Sequence, residues 1–449
     1  MKILQRGVLT YLNLLDNSFL MRMLSIFMLS IFTWSVRFPT VFRKLYAEDG
    51  KVFLQQTFDV AFPLDFFISN VGYLTIVMRI GGRFLSLFPL ELVPLGASLF
   101  SALSISFLGA VIYQATTSLI STKVARMAFT FLFCNLPLAP FSAVGNIANT
   151  YMYWLIGAVI VIFSRESNDV HRWTHSICNL LASLSNPITI LLLPFLTVIR
   201  LAKDSTSSNK KRFLLSDKFF FLGTAIQITY IILFSNRPRN PTFPNSVLES
   251  AYLVLDRVFG SSFVPLWGHV SGSAMSPEFE NTPFADSLWL RATMSAVSIL
   301  VVLALAYLAF SNSKSADIDG WKFRWSLLAI FVVFYTFSIT ILYGAEPRYL
   351  LVSSCLLLLI VVSVVSLMPC YVGRLFLSYL CIVAITGLTP SAHLSEGKFW
   401  SQELAAASIA CQGQSFSQEK RVRVEIIPLE GDWSVMIPCR ELGNQDSRK

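Results

Sequence analysis

Glu48 and Asp49 stand side by side in Tyr46-Ala47-Glu48-Asp49-Gly50, just ahead of Phe53-Leu54. Adjacent carboxylates can share a divalent cation such as Mg or Mn, or one can take a proton while the other tunes its affinity. Gly50 gives the backbone freedom to turn sharply behind them. A bare Glu-Asp-Gly tripeptide is also a common solvated turn, so its weight depends on where the chain puts it. Other chemistry-bearing residues are sparser. His171 and His175 are four apart and share a helical face, but no carboxylate completes a metal site there. His269 lies near Trp267, and a lone histidine more often packs or hydrogen-bonds than catalyses. Arg257, in Asp256-Arg257-Val258-Phe259-Gly260, either meets a phosphate or pairs with Asp256. No glycine-rich phosphate loop and no zinc spacing occur, which argues against a cytosolic nucleotide-sugar enzyme.

The elements that must position these groups follow from composition. Of 449 residues, 54% are hydrophobic and only 14% charged, and the mean hydropathy is +0.62. A soluble chain carries a charged quarter or so. Apolar runs recur from Ser18 to Thr389, each about twenty residues and long enough to cross a hydrocarbon core of roughly 30 Å. Without water there, the backbone must bond to itself, so the runs are expected to be helices. The fold class is therefore all-α, a polytopic transmembrane bundle occupying 1–390, with a tail over 391–449. The net charge of +9 comes with no basic stripe or recognition motif, and nucleic acid is not an expected partner. No small-residue cleavage site follows the apolar start, so the first span reads as uncleaved.

Spans are expected at about Ser18–Val36, Leu92–Ala115, Val124–Phe141, Tyr151–Phe163, Phe219–Phe234, Leu288–Phe310, Trp325–Tyr343, Tyr349–Leu367 and Leu375–Leu388. Val71–Phe88 is interrupted by Arg79, Gly81, Gly82 and Arg83, and reads as a helix lying at the interface. Thr174–Ile199 is either one long span or a hairpin; Ser185-Asn186-Pro187 breaks it near the middle and favours the hairpin. With the hairpin, basic residues sort cleanly. Lys123, Arg126, Arg172, Arg200, Lys322 and Arg374 fall on one side, whereas the short loops around Asn146, Asn186 and Gly344 hold only Arg348. That asymmetry puts the amino terminus in the cytoplasm, gives about eleven crossings and places the tail outside. The outer face then carries two large polar loops, 37–90 and 236–286. Arg237 and Arg239, flanking Pro238 at a span end, read as headgroup anchors.

Five cysteines lie in or beside spans as apolar filler, whereas Cys411 and Cys439 are the two of the tail. In an oxidising compartment they could pair and staple it. Arg421–Pro428 and Trp433–Pro438 between and beside them read as strands. The span interiors hold almost no ionisable groups, which argues against a transport path; such groups gather at the outer ends instead.

This layout resembles the GT-C superfamily of membrane glycosyltransferases, which draw sugars from polyprenyl-phosphate carriers. The likeness rests on Ala47-Glu48-Asp49-Gly50 with Phe53-Leu54, on Gly72-Tyr73-Leu74 with Arg79 followed by Pro89 and Pro94, on Asn146–Trp154, on Asn186-Pro187 with Pro194, and on Glu346-Pro347-Arg348-Tyr349. It implies an acidic motif and interfacial helices in the first outer loop, and transfer with inversion at the sugar carbon. The implied partners are a polyprenyl-phosphate-linked hexose or pentose, membrane lipid, and an outward-facing glycan or lipid-linked acceptor such as an O-antigen repeat. On that reading Asp49 takes the acceptor proton, with Glu48 assisting or binding metal. Arg348, with Tyr349, grips the departing phosphate, unless it only neutralises Glu346 or a lipid headgroup. Asn149 and Trp154 line a sugar pocket or belong to the interfacial belt. A lipid-linked glycan polymerase or ligase, relying on arginines of the large loops, and a flippase with a polar path through the bundle are the alternatives.

Overall fold

The computed structural model describes residues 18–38, 40–68, 72–136, 144–164, 172–203, 214–234, 254–263, isolated positions in 293–304, 318–343, 347–368, 370–386, 397–412, 420–427 and 433–443. His171, Arg237, Arg239, Trp267, His269 and Glu346, with the span expected over 288–310, lie largely or wholly outside the described residues.

The chain is mostly helical. α1 (Phe19–Arg37) starts where the Ser18 hydroxyl accepts the Met21 N–H at 3.3 Å, filling one of the vacant donors of a helix start. A π-helical turn, Asp49–Leu54, runs into α2 (Gln55–Asp59), and α3 (Ile76–Leu85) follows. α4 (Val93–Ala115) opens with Pro94 in its first turn, where a missing N–H costs nothing. α5 (Lys123–Cys134) is capped by the Thr122 hydroxyl, which accepts the Ala125 N–H. α6 (Thr150–Phe163) is buried along its whole length except at Tyr151 and forms the centre of the bundle.

α7 (Arg172–Ser183) ends where the sequence placed its break. The Asn186 side chain accepts the Ile188 N–H at 3.0 Å and Pro187 opens a 3-10 turn, Pro187–Leu192, before α8 (Leu193–Lys203). The chain direction bends by 118° between the two arms. α9 (Leu215–Phe234) returns along α7, and Arg200 clasps Asp217 through two bonds of 2.8 Å, tying α8 to α9. α10 (Ile318–Tyr343), α11 (Pro347–Val365) and α12 (Cys370–Thr386) complete the described bundle.

Five helical stretches are long and apolar enough to cross a membrane: Phe19–Val36, Leu90–Ser118, Leu215–Phe234, Phe323–Thr340 and Arg348–Val365. The bent α7–α8 pair adds a sixth if it is one span, and Thr150–Phe163 and Tyr371–Thr386 are shorter apolar helices. Each lies on a stretch expected to span.

The α7–α9 contact is tight enough to test. A Cβ built on Gly223 falls 2.0 Å from Ser183 Oγ and 3.1 Å from Leu180 O. Gly223→Ala is expected to cost about 1–3 kcal/mol, read as a lower melting temperature in detergent. Adding Ser183→Ala, which removes the obstructing hydroxyl, should restore most of it; no rescue would mean the helices are not apposed there.

The tail is a small unit of its own: α13 (Trp400–Cys411), antiparallel strands β1 (Arg421–Glu425) and β2 (Ser434–Pro438), and α14 (Cys439–Gly443). Arg421 pairs with Pro438 and Glu425 with Ser434. A disulfide joins Cys411 to Cys439. Trp400 anchors the unit on the bundle, donating its indole N–H to Leu90 O at 2.5 Å and its backbone N–H to Arg43 O at 3.0 Å.

Candidate functional site

The acidic pair sits at the end of the segment that follows α1, and its two members face different surroundings. Asp49 is 1% exposed. Its Oδ2 accepts the Ile147 N–H at 2.9 Å and its Oδ1 the Ala148 N–H at 2.8 Å. These amides belong to the turn just ahead of Asn149, the N-cap of α6, so the carboxylate fastens a turn 98 residues away in sequence. Burial pushes the Asp49 carboxyl up from 3.8 to about 7; the two N–H bonds oppose that rise and the neighbouring Glu48 charge adds to it. Glu48 is only half-buried and forms the rim of the pair.

The sharp turn is made differently from the expectation. Gly50 does not supply a left-handed residue; Ala47 does, at φ 22°. A non-glycine residue there is strained, and it is held because the Ala47 N–H donates to Ile427 O at 2.6 Å while the Ile427 N–H donates to Leu45 O at 3.2 Å. What Gly50 provides is room, since a Cβ would lie 2.6 Å from Ile426 Cδ1 and 3.0 Å from Leu45 Cδ2. The carboxyl-terminal tail is therefore seated directly on the acidic loop.

A hard cation takes about six or more oxygen ligands; each Asp49 oxygen accepts one backbone N–H and keeps a second lone pair. Among the described residues no group of three or more His, Cys, Asp or Glu converges. His175 is buried on α7, and its expected companion His171 lies outside the described residues.

The turn that receives Asp49 is built by its own sequence. Gly145 adopts φ +71°, and a Cβ there would meet Val41 Cγ2 at 2.5 Å. Asn146 Oδ1 then accepts the Asn149 N–H at 3.0 Å, and the Thr150 hydroxyl donates to Ile147 O at 2.7 Å. One turn on, Tyr151 lies within electrostatic reach of Tyr73, Tyr335, Tyr349 and Arg348. The Arg348 guanidinium stacks over the Tyr349 ring at 4.9 Å, and the Tyr335 hydroxyl donates to Tyr349 O at 3.0 Å. Thus α6, α10, α11 and the segment between α1 and α3 bring a guanidinium and four phenols to the end of α6 that follows the turn held by Asp49.

The remaining expected residues fall elsewhere. Asn149 is the buried N-cap of α6. Trp154, 5% exposed, stacks on Phe107 at 5.6 Å inside the bundle. Arg257 lies half-buried in a π-helical turn, Leu255–Gly260, joined to α11 through the adjacent Ser262–Ser354 contact of 2.7 Å; the side chain of Asp256 lies outside the described residues.

Two features escaped the sequence reading. Tyr151 and Tyr335 look like ordinary interfacial aromatics, and only their convergence on Arg348 singles them out. Arg79 looks like the polar edge of an interfacial helix, yet it is 3% exposed; the clue in sequence was an arginine flanked by the packing glycines Gly81 and Gly82. No protein-family model, no curated protein and no solved structure matches this chain.

Proposed function

We propose that this chain is a membrane glycosyltransferase of the GT-C type, moving one hexose or pentose from a polyprenyl-phosphate donor to an outward-facing glycan or glycolipid acceptor such as an O-antigen repeat. It has about eleven crossings, a cytoplasmic amino terminus, and an extracytoplasmic tail whose Cys411–Cys439 disulfide suits an oxidising compartment. The observation that carries the reading is Asp49: a buried carboxyl with proton affinity near neutrality, beyond the first membrane-length helix and beside the half-exposed Glu48. A base poised near the working pH transfers protons efficiently.

The acceptor approaches past Glu48, which orients its hydroxyl. That oxygen attacks the anomeric carbon while the carbon–oxygen bond to phosphate breaks. The hydroxyl proton passes to Asp49, whose oxygens each keep a lone pair not used by the backbone. The bonding electrons leave with the polyprenyl phosphate, whose charge Arg348 meets with a planar fork of donors. Tyr151, Tyr335 and Tyr349 offer hydroxyls and ring faces for the sugar. Attack opposite the leaving group inverts the sugar carbon.

The test is reconstitution. The purified chain in lipid vesicles, supplied with a polyprenyl-phosphate sugar and a glycan acceptor, is expected to yield lengthened glycan and one polyprenyl phosphate per transfer. Movement of an intact lipid-linked glycan across the bilayer with no bond exchange would replace the enzyme reading by a flippase.

A further inference from the structure

We propose that Arg79 forms an oxyanion site at the outer membrane border, holding the phosphate of a lipid or lipid-linked molecule. The inference rests on the membrane reading alone and stands whether or not sugar transfer does.

Arg79 projects from α3 and is 3% exposed. Its Nη2 donates to Ile68 O at 2.8 Å, and its Cζ lies 5.5 Å from the centre of the Phe53 ring. Nε and Nη1, which carry three of the five guanidinium N–H groups, have no hydrogen-bond partner. The carboxylate whose charge reaches Arg79 is Asp65, which gives one oxygen to Arg83: its Oδ2 accepts from Arg83 Nε at 2.7 Å, while Arg83 Nη2 donates to Val60 O at 2.7 Å. Two guanidinium charges thus share one carboxylate, leaving the cluster with a net positive charge. Burial lowers the Arg79 pKa only to about 10, so it stays cationic at neutral pH.

A buried cation with three idle donors is costly. It is satisfied by a ligand that turns two or more acceptor oxygens to the guanidinium edge, which a tetrahedral phosphate does and a single carbonyl does not. The surroundings select a phosphate carried by a lipid. Phe62, Leu64 and Phe67 on the segment before α3, with Ile80 and Leu87 on or just past it, expose large apolar side chains. Such a fringe around a cation marks the depth at which headgroup phosphates lie. Water bridging Arg79 to Asp65 Oδ1, which also lacks a partner, is the competing occupant.

The full chain in neutral detergent would be titrated with polyprenyl monophosphate, phosphatidylglycerol, inorganic phosphate and, as a phosphate-free control, diacylglycerol, reading affinity by native mass spectrometry and melting temperature. The two lipid phosphates are expected to bind and diacylglycerol not to. Stronger binding of the polyprenyl compound assigns the site to a lipid-linked substrate, equal binding to a headgroup, and displacement of either lipid by inorganic phosphate to the oxyanion itself. Arg79→Gln should weaken binding by about tenfold or more, with Arg79→Lys between. Asp65→Asn, which removes the competing negative charge while still able to accept from Arg83, should tighten it several-fold. That variant decides the matter if the Arg79 substitutions do not fold. Affinity unchanged in Arg79→Gln, affinity unchanged or weaker in Asp65→Asn, or equal binding of diacylglycerol would overturn the site and leave bridging water as the occupant.

Discussion

Asp49→Asn is expected to lower sugar transfer by about two to four orders of magnitude, measured as glycan product formed by the reconstituted protein. The substitution removes the proton acceptor and also strikes the turn before α6. Asp49 accepts from two backbone N–H groups at once, whereas an asparagine amide presents one acceptor and sets its own N–H against the other donor. Glu48→Gln separates the effects, because Glu48 takes no part in holding that turn. A protein that keeps its melting temperature yet loses activity in Glu48→Gln assigns the rim carboxylate to the reaction.

The pH dependence provides a second handle on the same residue. Between pH 3.8 and about 7 the folded chain holds the Asp49 proton more tightly than the unfolded chain does. The native state therefore binds more protons in that window, and the Asp49 contribution to stability is present at low pH and lost as pH rises through about 7. Activity moves the opposite way, because only the ionised form accepts a proton. Transfer by the parent should rise through neutrality, and the residual activity of Asp49→Asn should lack that step. Full transfer by Asp49→Asn would remove Asp49 as the base.

Breaking the tail disulfide is expected to have the next largest effect. Cys411 and Cys439 are 28 residues apart, and closing a loop of that size is worth about 3–4 kcal/mol in the chain-entropy account. That stabilisation is spent over the acidic loop. β2 accepts support from α2 through the Met436 N–H bond to Gln55 Oε1 at 2.6 Å, Arg421 forms an ion pair with Asp59, and Lys51 lies 5.2 Å from the Trp433 ring centre. The Ala47–Ile427 bond then holds the strained residue directly before Glu48. Cys439→Ser should lower the melting temperature, speed proteolysis of the tail, and increase amide exchange at Ala47 and Asp49. Unchanged protection at Ala47 with the disulfide open would show that the acidic loop keeps its shape without the tail.

The elements themselves were legible because their causes are local. Apolar runs of membrane length and the Asn186-Pro187 interruption each act within a few residues, and α1, α4, α5, α9 and the bend between α7 and α8 follow them. The alternating apolar positions of Arg421–Glu425 and Ser434–Pro438 marked the strands for the same reason. Gly50 shows where local reasoning stops. Its freedom to turn was visible, but the chain uses its lack of a side chain to admit Ile426, which stands far along the sequence.

The sequence by itself determined that this is a helical chain with membrane-length spans, an acid pair just beyond the first of them, and a cysteine pair in its tail. Only the tertiary structure decided that Asp49 is buried under two amides of a distant turn, that Trp154 packs inward, that Arg79 is enclosed with idle donors, and that the tail covers the acidic loop. The physical reason is range. Helix formation and breaking depend on neighbours three or four residues away, whereas burial, proton affinity and hydrogen-bond partners depend on which distant segments pack together.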